Sequence, residues 1–127
     1  MTTVLDASAM VRLLSGLVAE EDVHHFDDSL LAPDLVVAEV GNGLRRAVLR
    51  GIVTREIAPL LLQRFLQMPI EIESSYDLVE RAFEMLDNVS VPDGCYVALA
   101  EERGCRLLTS DARLARAAVV DVPITLV

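Results

Sequence analysis

Lysine is absent from this chain: its 11 basic side chains are all arginine, set against 20 acidic ones, for a formal net charge of −9. Tryptophan is missing too, and aromatic residues make up only 4%, so the interior is expected to be aliphatic. No uninterrupted apolar run approaches the ~20 residues that a membrane-spanning helix needs. The 2 cysteines, Cys95 and Cys105, form no Cys-x-x-Cys pair and read as small buried hydrophobes, not as a disulfide or a zinc set. These absences exclude whole classes. A pI near 4.5 argues against a broad non-specific nucleic-acid binder, which carries a basic face. A phosphoacceptor domain gathers carboxylates at strand ends but wants a lysine beside them. A phosphatase with an aspartyl nucleophile expects Asp-x-Asp on the first strand, whereas Ser8 stands two residues beyond Asp6.

What is present is enough for one domain spanning 1–127, with 53% hydrophobic residues available for a core. The amino terminus runs straight into Val4-Leu5-Asp6 without a basic leader, so a cytoplasmic protein with no membrane association is expected. His24 and His25 are adjacent in an acidic stretch. On a helix they diverge by about 100°, which suits a solvated surface better than a shared metal. The arginines cluster as Arg45, Arg46, Arg50 and Arg55, then as Arg103, Arg106, Arg113 and Arg116. Guanidinium forks suit phosphate. Solvated helix faces explain each residue taken alone equally well.

Apolar runs and capping signals predict strands at Thr2–Leu5, Leu30–Ala32, Pro69–Glu73, Arg106–Thr109 and Pro123–Val127. Helices are predicted at Ala7–Leu17, around 20–28, and at Asp34–Arg50 with Pro33 at its start and Gly51 at its stop. Further helices are expected at Thr54–Met68, where interior Pro59 implies a kink or a later start, and at Tyr76–Leu86, Pro92–Arg103 and Asp111–Ala118. Gly41 and Gly43, inside a helix, suggest a close approach of another element. The alternation implies an α/β three-layer sandwich with a mainly parallel central sheet between helices.

Four acids stand in apolar or small-residue surroundings: Asp6, Glu39, Asp93 and Asp111. A carboxylate is costly to bury without a partner, and here no lysine can supply one. Asp6, Asp93 and Asp111 each lie near a predicted helix start, and for any one of them capping is the favoured reading. Jointly they say more. Residues just after parallel strands share the sheet edge where open α/β folds bind ligands. Glu39 has Leu35, Val36 and Val40 around it, while Asn42 and Arg46 continue its own stripe, as for the wall of a pocket. Ser8 reads as a helix cap or as the holder of a metal-bound water, with capping ahead. Gathered carboxylates suit a hard divalent cation such as Mg²⁺, and so metal-assisted phosphodiester hydrolysis.

The quartet in its order resembles the PIN-domain endoribonucleases, specifically the VapC-type toxins of toxin–antitoxin pairs. Val4-Leu5-Asp6-Ala7-Ser8-Ala9 is similar to the first acidic motif. Glu39 with Asn42 and Arg45-Arg46 is similar to the second, and Pro92-Asp93 followed by Tyr96-Val97-Ala98-Leu99-Ala100 to the third. Leu108-Thr109-Ser110-Asp111 with Arg113-Leu114-Ala115 is similar to the fourth. The resemblance covers nearly the whole chain. It implies a PIN-like fold and a ribonuclease dependent on Mg²⁺ or Mn²⁺, with Asp6 and Asp93 as principal metal ligands and Glu39 and Asp111 completing a catalytic, metal-binding quartet. It also implies an RNA substrate, a homodimer and silencing by a cognate antitoxin protein. Two departures stand out. Gly94-Cys95 replaces small apolar residues after the third acid, and Ala112-Arg113 leaves the fifth acidic position open. The rival reading is a PIN scaffold that binds RNA or a partner without efficient catalysis. The helix segment Leu60, Leu61, Leu62, Phe65 and Leu66 carries apolar residues in excess, for core packing first and partner binding second.

Overall fold

The architecture is a five-stranded sheet in the order β3-β2-β1-β4-β5, every pairing parallel. A computed structural model describes residues 1–117 and 121–127. The strands are β1 (Thr2–Leu5), β2 (Ser29–Pro33), β3 (Glu71–Glu73), β4 (Arg106–Thr109) and β5 (Ile124–Leu126). Parallel strands bury both faces, so they read as short apolar runs without alternation. Val4 pairs with Leu31 on one side and Leu107 on the other, and all three are fully buried. The helices are α1 (Ala7–Leu14), α2 (Val36–Leu49), α3 (Ala58–Leu66), α4 (Val79–Phe83), α5 (Val91–Arg103) and α6 (Ala112–Arg116), with 3₁₀ segments at Glu20–Asp27 and Ser75–Asp77. Parallel crossovers are right-handed. The chain moves from β1 out to β3 and then returns across β1 to β4. It therefore lays α1–α3 on one face and α4–α5 on the other, which completes the expected three layers.

Several boundaries move for local reasons. Pro33 does not open a helix: it ends β2 opposite Glu73, and the following Asp34 N–H donates to the Glu73 carbonyl at 2.7 Å, so α2 begins only at Val36. A proline at a strand end gives up no ladder bond. The first helix stops at Leu14 and not Leu17, because Gly16 turns the chain with φ +71°. Thr54 does accept the Ile57 N–H (3.3 Å), but the regular helix starts at Ala58, with Pro59 in its first turn. The Tyr76–Leu86 helix shrinks to Val79–Phe83 after a 3₁₀ turn. The last helix runs Ala112–Arg116; its expected end at Ala118 lies outside the described residues.

The opposite, amino-terminal end of the sheet is locked by Arg106. Its guanidinium donates to Asp28 (3.1 Å) and Thr3 (3.0 Å), and Thr3 donates to the same Asp28 carboxylate at 2.6 Å. Those bonds hold the Asp28 carboxyl below its ordinary range. Arg103 is engaged in the same manner by Glu71 and Glu73. Neither arginine is free for the phosphate contact that clustering suggested.

Glycine matters where helices touch. A Cβ on Gly43 of α2 would lie 2.5 Å from the Val11 side chain of α1, while one on Gly41 would meet nothing within 4 Å. The close approach predicted for the pair therefore belongs to Gly43 alone. Gly94 of α5 is tighter still in consequence: its Cβ would meet the Ala82 backbone oxygen at 3.0 Å and Cα at 3.1 Å, atoms that cannot rotate away. This packing explains the glycine after the third acid. Gly94→Ala is expected to cost about 1–3 kcal/mol through overpacking, whereas Gly41→Ala is expected to be neutral or to stabilise by up to ~1 kcal/mol. Urea unfolding of both variants checks this. Equal midpoints for the pair would show that the α4–α5 contact is slack.

Candidate active site

The β1–β4 pair marks the point where strand order reverses, and both strands deliver an acid to their carboxyl ends. Asp6 follows β1 directly and is only 5% exposed. It caps α1: its Oδ1 accepts the Ala9 N–H at 2.9 Å and the Ser8 hydroxyl at 2.7 Å, while Oδ2 accepts the Thr109 hydroxyl from the end of β4. Ser8 is thus not the helix cap. It donates to Asp6 and accepts the Ser110 N–H at 3.1 Å, stitching α1 to the segment after β4. Thr109 in turn accepts the Asp111 N–H at 3.0 Å. Asp111 caps α6 through its bond from the Arg113 N–H (2.9 Å).

Glu39 projects from α2 on the face expected of a pocket wall, with Val36 and Val40 fully buried beside it. Its Oε1 accepts the hydroxyl of Tyr96 at 2.6 Å. Tyr96 lies on α5 one turn after Asp93 and is 1% exposed. Asp93 sits in the first turn of α5, where Ser90 is the N-cap and accepts the Asp93 N–H at 3.3 Å. All four acids line a single cleft of about 600 Å³ between α1, α2 and the start of α5.

The electrostatics tie them together. Burial pushes the Asp6 carboxyl up to about 6, against the three hydrogen bonds that favour its anion, and the charge of Asp93 pushes the same way. Glu39 is raised by burial first and by Asp93 as well. Asp93 is itself raised by burial and by Asp111. At Asp111 burial is outweighed by the backbone bonds and guanidinium of Arg113, which hold its carboxyl below the ordinary range. Asp93 therefore feels, or is felt by, each of the other three. Among the described residues no three acidic, histidine or cysteine side chains already converge as a ready-made cation cage. The side chains that line the cleft nevertheless offer carboxylate, hydroxyl and amide oxygens and no thiol or imidazole, a set that suits hard cations such as Mg²⁺ and Mn²⁺ and not a soft-ligand metal.

Sequence reasoning missed three participants. Thr109 and Tyr96 lie inside the fourth and third acidic motifs, where their neighbours in sequence give them no role of their own. A hydroxyl directly before an acidic turn and a tyrosine inside an apolar helix were the available signals. Arg12, on the cleft-facing side of α1, stood outside both arginine clusters.

A parallel sheet with this strand order and acids at the ends of its two central strands defines the class. The chain belongs to the PIN-domain family, whose profile matches residues 3–120. Within that family its relatives are VapC ribonucleases. VapC1 of Mycobacterium tuberculosis is 38% identical over 131 residues, covering 98% of this chain and 96% of its own. Two solved structures share the fold: M. tuberculosis VapC20, described as a sarcin–ricin-loop-cleaving toxin, and VapBC2 of Rickettsia felis bound to a promoter DNA fragment. The first superposes with a TM-score of 0.67 at 18% identity over 95% of this chain and 98% of that one. The second gives 0.67 at 15% identity over 99% and 98%.

A buried acid with a raised pKa has a stability signature. The folded state holds the Asp6 proton up to about pH 6, whereas the unfolded chain releases it near 3.8. The folded state therefore binds more protons between those values, and stability falls as pH rises through that window. Asp6→Asn, which keeps the shape without the charge, is expected to stabilise the metal-free protein by about 1–3 kcal/mol above pH 7. The gain should vanish below about pH 4. Thermal unfolding across pH with a chelator present measures it, and a destabilised variant at pH 7 would show that the anion is well solvated.

Proposed function

We propose that the protein is an RNA-cleaving toxin of the cytosol, dependent on Mg²⁺ or Mn²⁺ and held in check by a cognate antitoxin protein. The observation that carries this reading is the meeting of Asp6, Glu39, Asp93 and Asp111 on one cleft with no lysine to neutralise them. Ribonuclease is the activity in the names of its relatives, and toxin and VapBC appear in those of its structural neighbours. No helix among the described residues is long and apolar enough to cross a membrane.

Asp6 and Asp93 would hold the cation, with Glu39 and Asp111 completing the set. When bound, such a cation supplies Lewis acidity toward a phosphate and favours ionisation of water. The chain's own residues do the rest. Thr109, Ser8 and the Ala9 N–H hold both oxygens of Asp6 in one orientation. Tyr96 fixes Glu39 from the opposite side of the cleft and keeps its own proton, because burial and the neighbouring carboxylate raise its pKa. Apolar surface left open supports the protein partners. Tyr76, Val79, Phe83 and Leu86 are exposed at helical spacing, and a hollow of about 380 Å³ between α2 and α3 is lined by Leu44, Val48 and Leu62. In α3 itself Phe65 is buried and Leu61 and Leu62 pack on the core, while Leu60 and Leu66 stay exposed, so the apolar excess there divides between core and surface.

Cleavage of cellular RNA should stop in a chelator and return with Mg²⁺ or Mn²⁺. Asp6→Asn and Asp93→Asn should each lower it by about 10²-fold or more, since several kcal/mol of transition-state stabilisation go with the cation. Tyr96→Phe should weaken Mn²⁺ binding in a direct titration by about tenfold, the usual cost of a lost outer-sphere partner. Folded Asp6→Asn and Asp93→Asn proteins cutting at wild-type rates would sink the site assignment.

A further inference from the structure

An RNA strand approaching four carboxylates on a protein of net charge −9 is repelled unless positive charge lies beside them. The structure identifies which arginines are available. Arg81, Arg103, Arg106 and Arg113 are held by Glu84 and Glu101, by Glu71 and Glu73, by Asp28 and by Asp111. Arg12, Arg46 and Arg50 are exposed, make no ion pair or side-chain hydrogen bond among the described residues, and line the same cleft as the acids. Arg46 lies in the last turn of α2 and Arg50 is its C-cap, four residues on, so the two guanidinium groups follow one another along the same side. Arg46 is near enough to Glu39 to lower its pKa.

We propose that Arg12, Arg46 and Arg50 form a phosphate track that leads a single RNA strand along the α1–α2 cleft to the acids, with Leu17 and Ile52 seating a base at the far end. The spacing suits a strand: counted along α2, Arg46 lies about 10 Å and Arg50 about 16 Å from Glu39. The walls are two helices in close contact at Gly43 and Val11. Leu17 and Ile52 line the cleft yet are 46% and 51% exposed, apolar surface at the end away from the acids. Backbone phosphates on guanidinium forks and a base on an apolar seat form the usual division of labour in single-strand binding.

This inference rests on the ribonuclease reading, and the experiment separates the two. Cleavage kinetics on a single-stranded RNA oligonucleotide are measured at several salt concentrations, together with anisotropy binding in chelator. Arg12→Gln and Arg50→Gln should each raise KM several-fold with kcat within about twofold, while Arg46→Gln should raise KM as much and lower kcat too, because its guanidinium acts on Glu39. The triple variant should lower the slope of log K against log salt by about 2, at ~0.7 per phosphate contact on a single strand. Leu17→Ala and Ile52→Ala should raise KM without altering the slope. Arg64→Gln, exposed on α3 away from the cleft, should change neither. Normal wild-type cleavage with an unaltered slope and KM in the triple variant overturns the track alone. No cleavage by the wild type overturns the ribonuclease reading, and the track with it.

Discussion

The carboxylate of Asp6 is buried at the carboxyl end of the central strand, and the polar contacts of the cleft are arranged around the cost of putting it there. One oxygen is occupied by α1, through the Ala9 N–H and Ser8, and the other by β4, through Thr109. These bonds join the strand, its following helix and the neighbouring strand at the reversal point of the sheet. They reduce the desolvation cost without removing it, since the carboxyl is still pushed up to about 6. A cation would remove the remainder. If Asp6 holds a cation as proposed, stability and function pull in opposite directions at this residue.

Glu39 and Asp93 extend the same tension outward, whereas at Asp111 the bonds and charge of Arg113 outweigh burial. Asp93 on α5 is raised by burial and then by Asp111, and its charge adds to the burial that raises both Asp6 and Glu39. Glu39 is steadied by a tyrosine whose hydroxyl comes from the far wall of the cleft. Close packing keeps these walls in register: Gly43 lets α2 rest on Val11 of α1, and Gly94 lets α5 rest on Ala82 of α4. The opposite end of the sheet uses its charges differently. Arg106, Asp28 and Thr3 satisfy one another there and leave nothing over for a ligand.

Much of this was legible in the chain. The strand at Thr2–Leu5 and that at Arg106–Thr109 follow from short apolar runs, and the end of α5 follows from Gly104, which takes φ +62°. Family membership followed from four motifs in order, and the profile match bears it out. Where boundaries shifted, the competing term was a contact distant in sequence. Pro33 reads locally as a helix start, but pairing with β3, some forty residues on, draws it into the sheet. Ser8 reads locally as a cap, but Asp6 has the better position, and the Ser8 hydroxyl turns to Ser110 across the sheet.

The sequence by itself determined the alternation of strands and helices, the aliphatic core and the identity of the four acids, because each depends on residue type and near neighbours. Tertiary structure alone decided which groups meet. Thr109 reaches Asp6 and Tyr96 reaches Glu39 across sequence separations of 103 and 57 residues, and no local signal carries such pairings. The arginines divide on the same ground. Those within ion-pairing reach of an acid became struts, and Arg12, Arg46 and Arg50 on the α1–α2 cleft make no ion pair among the described residues, a distinction set by the direction each helix face takes when it packs.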